Sequence, residues 1–578
     1  MTMPNGPTTL ISQVEQWLVS AFADAGLDTH GVRAVPAQRP DLADLQCNAI
    51  MPLAASLKRP PRELAEEVAA RLRRQPAFAS VDIAGPGFIN LRLSARLLAE
   101  AAQRQLADAG AGLVAQPRER IVIDFGGPNV AKPLHVGHLR SLVIGESLRR
   151  ILVALGHDVI SDVHLGDWGL QMGMLISELP LLWPELAVPG AWRDAPPFDM
   201  DQLQSIYPRV AAACKADAER MALARAATAR LQAGDTASVA LWEVIRRVSL
   251  DAQRRDFALL DAHFDELHGE SLAQPLIPPM IDDLLARGIA KPSEGALVVE
   301  VAEPGDDAPV PPLLLAKSDG AALYATTDLA TILDRQRRLA PQRIVYVVDQ
   351  RQSLHFEQVF RAARKAGYAD GMALVHVGFG TVNGPDGKPY KTRDGGVARL
   401  GELLADAVER ARERRGDDTG EDAAEAIGVG AVKFADLSTY RTSGYVFDPE
   451  RMVSFEGRTG PYVQYACVRI GSILEKADAQ GISPGPVFVV EPAERSLVLL
   501  CARLPEVAGS AAANYAPNEL AEMAFALAQA FSRFYGECPV LGSDDAKVRA
   551  SRLTLCMLAR HVLSRALYLL GIAIPKRM

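Results

Sequence analysis

A multidomain α/β protein built on a doubly wound parallel sheet is the fold class this sequence predicts. Three observations carry that expectation. The chain has 578 residues, more than one hydrophobic core usually serves. A buried strand, a Gly/Pro/Asn loop, a helix and a second strand follow one another between residues 121 and 163, which is a βαβ unit and hence a parallel sheet. From about residue 400 onward nearly every segment has helical periodicity, so an all-helical region closes the chain.

The elements follow in order. Residues 1–115 read as a separate α+β domain. Leu10, Val14, Trp17, Leu18 and Phe22 repeat at helical spacing, 62–74 is an amphipathic helix with a basic end, and 80–93 is two short strands around Gly85-Pro86-Gly87. A polar stretch at 116–120 is the linker. Ile121 to Phe125 is the first buried strand. Residues 137–155 form the helix, with Gly156 placed to end it, and 157–163 return as a strand. Residues 200–270 are charged, Ala-rich and helical, an insertion in the sheet domain that starts near 180. Strand patterns resume at 289–301, 311–325 and 343–348. Helices are expected at 400–415, 421–433, 460–478, 495–512, 517–536 and 546–570.

Composition bounds the function. Apolar residues make up 49% and charged residues 23%, a globular composition. The net charge of −8 argues against a generic nucleic-acid coat and leaves room for local basic patches. No DNA partner is expected. Cys47, Cys214, Cys467, Cys501, Cys538 and Cys556 are scattered without metal-ligand spacing, so no structural zinc is expected. The first twenty residues lack a basic start and apolar run, and no window nears about 18 uninterrupted apolar residues. A cytoplasmic protein with no membrane contact is the expectation.

The chemistry concentrates in the loop after the first strand, GGPNVAKPLHVGH at 126–138. His135, Gly137 and His138 form H-x-G-H at a helix start. Free N–H groups and partial positive charge there suit triphosphate oxygens. Two imidazoles can donate to charge developing on an α-phosphate. Gly137 clears space for an adenine ring against the backbone. Two histidines capping a helix by chance is the bland alternative, and the strand–loop–helix setting favours a nucleotide.

The longer strings are more specific. DFGGPNVAKPLHVGHLRSLVIGE at 124–146 and HLGDWGLQMGML at 164–175 closely resemble the class I aminoacyl-tRNA synthetases, and among them the arginyl enzymes. That family's first signature is S-P-N-x-A-K-x-x-H-V-G-H-x-R, followed by G-D-W-G-x-Q. Pro128, Asn129, Ala131, Lys132, His135, His138 and Arg140 match, as do Gly166, Asp167, Trp168, Gly169 and Gln171, while Gly127 stands in the serine's place. YATTDLA at 324–330 and YVVDQRQSLHF at 346–356 resemble segments lining the family's amino-acid pocket. The resemblance implies that Tyr324, Asp328 and Gln352 face arginine together with Asp124 and Asn129. The chemistry agrees: carboxylates receive a guanidinium in a bidentate fork, making Asp328 and Asp124 natural receivers. Tyr324 would pack on the cation or its stem, and Asn129 and Gln352 would hold the α-amino group. Taken alone, Tyr324 and Asp328 also read as a helix-start pair.

A second ATP motif, K-M-S-K-S in the family, corresponds to GPDGKPYKTRDGG at 384–396 and departs from the consensus. One alignment places Lys391, Thr392 and Arg393 in its core. The other places Lys388 and Lys391 at the lysine positions. Lys388, Lys391 and Arg393 are all candidates for phosphate contact, and the resemblance assigns Lys132 the role of a missing second lysine. A solvated Gly-rich hairpin is the alternative.

By resemblance the chain comprises an N-terminal tRNA-contacting domain (1–115), a Rossmann-like class I catalytic domain (116–398, insertion about 180–270), a helical connector (399–454) and a helical anticodon-binding domain (455–578). FEGRTGPYVQYACVR at 455–469 resembles the entrance to the last of these. Tyr462, Tyr465 and Arg469 are its candidate tRNA contacts, by stacking and phosphate binding, or else core aromatics. Arg59 and Arg62, with Lys58, Arg71, Arg73 and Arg74, form a basic cluster that would touch the tRNA backbone or is a solvated face. The implied activity is arginine–tRNA ligation using ATP with Mg²⁺, the ion held by phosphates and water. His135, His138, Lys132, Lys391 and Arg393 would act on the phosphates, and Pro128, Asn129, Gly137, His138, Lys388 and Lys391 would bind ATP. Partners would be tRNA(Arg), L-arginine and ATP, and a monomer is expected. Two rivals remain: another H-x-G-H nucleotidyl transferase, and a tRNA-binding paralogue without catalysis, which the intact motif disfavours.

Overall fold

The structure is a computed structural model. It describes residues 9–316, 323–390, 398–415 and 420–578. Two compact units emerge, residues 117–410 with 439–451 and residues 1–116 with 411–438 and 452–578. The expected connector is thus divided between the two.

The first unit carries a four-stranded parallel sheet. Its strands are β1 (Arg120–Phe125), β2 (Asp158–Asp162), β3 (Arg343–Asp349) and β4 (Ala373–Phe379), in the spatial order β2-β1-β3-β4. Ile121, Val122, Ile123 and Phe125 of β1 are all buried, as a strand covered on both faces requires. Chain order reverses between β1 and β3, which opens a crevice at their carboxyl ends. Register lines up a polar row there: Asp162 pairs with Asp124, Asp124 with Tyr346, and Tyr346 with His376.

Helix α1 (Val136–Ala154) returns from β1 to β2. It ends as the sequence predicts: Gly156 has φ +92°, its N–H donates to the Val153 carbonyl, and the His157 N–H donates to that of Leu152. This double closure is available to a residue with no side chain to clash. Gly145 of α1 lies against β1 so closely that a Cβ would fall 2.3 Å from Phe125 Cγ.

The insertion folds into helices Met200–Ala216, Ala218–Gln232 and Thr236–Leu259. Asp199, Asp217 and Asp235 precede them, and each carboxylate accepts a first-turn N–H, from Gln202, Glu219 and Ser238 respectively. Two expectations are corrected in this unit. Among the described residues, the strand pattern at 311–325 holds over Leu313–Ala316, and a helix, α2 (Tyr324–Leu339), begins inside its expected C-terminal end. Strand β4 was not foreseen, because its central His376 and Gly378 interrupt the apolar run.

In the second unit, an antiparallel sheet of Val35–Pro36, Leu45–Cys47, Phe88–Leu93 and Phe78–Ala84 packs on helix Pro61–Leu72, which in turn packs on Leu10–Asp24, while helix Ala95–Ala107 packs on Pro492–Cys501 and Ala546–Leu569. Six longer C-terminal helices accompany it: Glu421–Leu437, Gly460–Ala479, Pro492–Cys501, Leu504–Asn514, Pro517–Glu537 and Ala546–Leu569. The buried Asp44 carboxylate ties the two parts, accepting from the Leu93 N–H at 2.7 Å and from Arg495 at 3.0 Å. The single helix expected at 495–512 is broken at 502–503. Pro505 has no N–H for the ladder, and the Cys501 carbonyl that it would have capped accepts from Gln105 at 2.7 Å instead. The stretch Pro492–Asn514 is long and apolar enough to cross a membrane by composition. Here Leu497, Val498, Cys501, Leu504 and Ala508 are core residues of the helical unit.

Candidate active site

The H-x-G-H loop builds its own donors. His135 caps α1, its Nδ1 accepting from the Gly137 N–H at 3.0 Å. His138 Nδ1 accepts from the His135 N–H at 3.1 Å. Both Nδ1 atoms are acceptors, so each neutral ring carries its proton on Nε2 and presents a donor. Burial pushes the His138 imidazole down to about 3, with His135 adding to it. Burial and then Lys132 push His135 down. The two rings, centroids 4.0 Å apart, therefore act as uncharged hydrogen-bond donors near neutrality. Gly137 is demanded by this arrangement, since a Cβ there would meet His135 Cε1 at 2.8 Å. Arg140, one turn on, is buried and donates to the Ser443 carbonyl at 2.7 Å.

The other expected ATP contacts fall in different settings. Pro128 is buried, and its carbonyl accepts from the Gly166 N–H at 3.1 Å. It therefore supports the loop from below. Asn129 is exposed at the loop surface. Lys132 Nζ lies 4.8 Å from the Tyr207 ring centroid, a cation–π contact with the insertion. Lys388 is exposed in a tight turn at 384–388, closed by the Gly387 N–H on the Gly384 carbonyl. Lys391 and Arg393 lie outside the described residues. The segment just beyond them is stitched to the histidine loop: the Val136 N–H donates to the Ala398 carbonyl and the Leu400 N–H to that of Leu134, both at 3.0 Å.

A group of acidic side chains gathers about α2. Asp328 of α2 bonds His355 Nε2 at 2.5 Å, and Tyr324 stacks on that imidazole with centroids 5.0 Å apart. Tyr324 remains 52% exposed, so it has a face for a ligand. Asp328, burial, Asp124 and then Glu270 push its phenol up, so the field of three carboxylates reaches this ring. Gln352 is half-buried in the turn after β3.

Sequence reasoning assigned Asp124 to a substrate guanidinium. In the structure an internal one occupies it: Arg335 Nη2 donates to Asp124 Oδ2 at 2.6 Å and to Asp162 Oδ2 at 2.7 Å. Asp124 is 7% exposed, and a carboxylate so placed needs a fixed cation. Burial still pushes Asp124 up, whereas in Asp162 the burial effect is outweighed by Arg335 and then His164, and the carboxyl goes down. Sequence reasoning missed Glu270 altogether. Burial, then the Asp167 and Asp328 carboxylates, push it up to about 7. Asp124 is neutralised by Arg335 and Asp167 by Arg246, so Glu270 and Asp328 are the acids whose mutual repulsion a bound cation would relieve.

The candidate tRNA contacts separate by exposure. On helix Gly460–Ala479, Tyr465 is 42% exposed. Tyr462 is half-buried against Phe525, at 5.4 Å between centroids, and Arg469 lies 4.3 Å from the Tyr535 ring centroid. Arg59 pairs with Glu67 at 2.6 Å. Arg73 pairs with Glu66, and Arg71 donates to the Asp24 carbonyl at 2.8 Å. Lys58, Arg62 and Arg74 remain exposed.

Comparison with known proteins agrees with this geometry. Residues 102–449 match the family described as tRNA synthetases class I (R), catalytic domain, residues 8–93 the arginyl-tRNA synthetase N-terminal domain, and residues 463–578 the DALR anticodon-binding domain. A curated arginine–tRNA ligase of Maricaulis maris is 48% identical, covering 99% of this chain and all of its own. This chain belongs to the arginyl-tRNA synthetase family. Another such ligase, from Hyphomonas neptunium, is 45% identical over 99% of this chain and all of its own. Among solved structures, the arginyl-tRNA synthetase of Thermus thermophilus superposes with a TM-score of 0.79 at 26% identity, covering 98% of this chain and all of that one. The Plasmodium falciparum enzyme, at 23% identity, shares the fold with a TM-score of 0.82 over the full length of both chains. The arginyl-tRNA synthetase architecture, a class I catalytic domain with an N-terminal domain and a helical C-terminal domain, is that of this chain.

Proposed function

We propose that this chain activates L-arginine with ATP and transfers it to the 3′-terminal adenosine of tRNA(Arg), at the crevice between β1 and β3. The observation that carries this reading is the acidic field of Asp328, Asp124 and Glu270 at Tyr324, in the same unit as two neutral imidazole donors. Asp328 and Glu270 receive the guanidinium, whose planar fork suits two carboxylates. Tyr324 lies against the cation. Asp124, already engaged by Arg335, contributes its field. Asn129 and Gln352 hold the α-amino group.

An oxygen of the arginine carboxylate attacks the ATP α-phosphorus and pyrophosphate leaves, giving arginyl-adenylate. His135 and His138 donate through Nε2–H to the oxygens gaining charge, and neutral donors do so without a protonation step. Lys132, Lys388, Lys391 and Arg393 neutralise the triphosphate. A ribose hydroxyl of the tRNA then attacks the carbonyl carbon and AMP leaves. Positioning supplies much of the rate. Mg²⁺ enters with ATP, held by phosphate and water. Tyr465, with Tyr462 and Arg469, meets the anticodon loop by stacking and phosphate contact, and Arg59 and Arg62 lie near the tRNA backbone.

Arginine-dependent ATP–pyrophosphate exchange, run with and without total tRNA, tests the reading. Exchange that requires arginine and tRNA is expected. No exchange from folded protein with tRNA present would overturn it, and equal exchange with lysine would overturn the arginine assignment.

A further inference from the structure

Glu270 sits on a four-residue helix, Glu270–Ala273, far too short to fix a side chain by itself. What holds it comes from the insertion. On helix Thr236–Leu259, Trp242 and Arg246 are one turn apart on the same face. Trp242 Nε1 donates to the Asp167 carbonyl at 2.7 Å. Arg246 Nε donates to Asp167 Oδ2 at 3.0 Å, and its Nη2 to the Leu267 carbonyl at 2.5 Å.

Asp167 is fully buried and passes the grip on. Its Oδ1 accepts from the Ser271 N–H and its Oδ2 from Ser271 Oγ, both at 2.9 Å. The backbone is laced on either side: the Leu165 N–H donates to the His268 carbonyl at 2.8 Å, and the Glu270 N–H to that of Leu165 at 3.0 Å. Between them Gly269 leaves no slack, because a Cβ there would meet Asp167 Cγ at 2.5 Å. Arg246 is thus bonded both to the turn that carries Glu270 and to the carboxylate that caps it.

We propose that Arg246 is a positioning residue for arginine recognition, holding Glu270 at the substrate guanidinium through Asp167 and the Leu267 carbonyl without touching the substrate. The inference rests on the reading that Glu270 receives the guanidinium. The guanidinium fork is essential, since a lysine at 246 can reach one acceptor but not span both. Recognition of one cation by this pocket therefore depends on another cation in the insertion.

The test uses the full-length enzyme with its tRNA. Arginine KM, ATP KM and kcat are measured for Arg246→Gln, Arg246→Lys, Glu270→Gln and the double variant Arg246→Gln/Glu270→Gln. Arg246→Gln is expected to raise the arginine KM on the order of tenfold or more, since small misplacement at a site has large effects. ATP KM should stay within about twofold and Arg246→Lys should lie between the two. In the Glu270→Gln background the same change should add less than about twofold, because its target is gone. A parallel rise in ATP KM, or full additivity in the double variant, would overturn the proposal. Should Arg246→Gln fail to fold, Arg246→Lys and its double with Glu270→Gln carry the same test. Glu270→Gln with an unchanged arginine KM would instead sink the pocket reading itself.

Discussion

Substrate arginine should bind more tightly as pH rises from 6 to 8, and Glu270 should be the cause. Burial, then Asp167 from the Gly166–Gly169 loop and Asp328 from α2, push its carboxyl up to about 7; Tyr324 feels the Glu270 charge and His355 bonds Asp328. Only the ionised form attracts a guanidinium. The ionised fraction is about one eleventh at pH 6, one half at pH 7 and ten elevenths at pH 8, so 1/KM for arginine should rise about tenfold over that span. The assay is aminoacylation at saturating ATP and tRNA, with the arginine KM taken at each pH. Glu270→Gln should flatten the profile while raising KM throughout. A wild-type arginine KM that does not move between pH 6 and 8, or an equal slope in Glu270→Gln, would refute the argument. Stability should show the opposite sign. A carboxyl raised in the fold binds more protons than in the unfolded chain, so the ligand-free protein loses stability as pH climbs from about 4.5 through 7, at most about 3 kcal/mol. Glu270→Gln should therefore stabilise the free enzyme at pH 8 and leave it unchanged at pH 4.

Three further outcomes are expected. Arg335→Met leaves Asp124 and Asp162 without their shared cation and should cost about 3–5 kcal/mol. Denaturant unfolding followed by tryptophan fluorescence reads it, since Trp168, Trp183, Trp192 and Trp242 lie in the unit that contains Arg335; a loss under about 1 kcal/mol would show the pairing to be idle. His138, held down to about 3, takes its proton later than the unfolded chain does. Its contribution to stability is thus lost as pH falls from about 6.5 towards 3, and an imidazole NMR signal still neutral at pH 5 would confirm the donor state while a charged one would contradict it. Gly137→Ala drives a Cβ into the His135 ring at 2.8 Å and should lower kcat at least about tenfold with little change in unfolding midpoint; unaltered kcat would mean that the ring has room to move.

What the sequence determined by itself was local. The β1–loop–α1 unit was legible because strand and helix periods, a glycine stop and the histidine motif all lie within about forty residues of one another. Asp328 and Tyr324 were found through a contiguous string. The fold class followed from the same signals. Tertiary structure alone decided which charges meet. In α2, Arg335, Arg337 and Arg338 lie within four positions and are chemically alike, yet Arg335 is 1% exposed and holds two buried carboxylates, while the other two are on the surface, Arg338 paired there with Glu266. Helical spacing from Asp328 through Thr331 to Arg335 was a signal that would have singled it out. Glu270 had no such signal, lying in a short turn without periodicity, and its importance arises from Asp167 and Asp328, which are 103 and 58 positions away. Electrostatic role depends on which groups share a desolvated space, and the sequence orders residues along the chain rather than in that space.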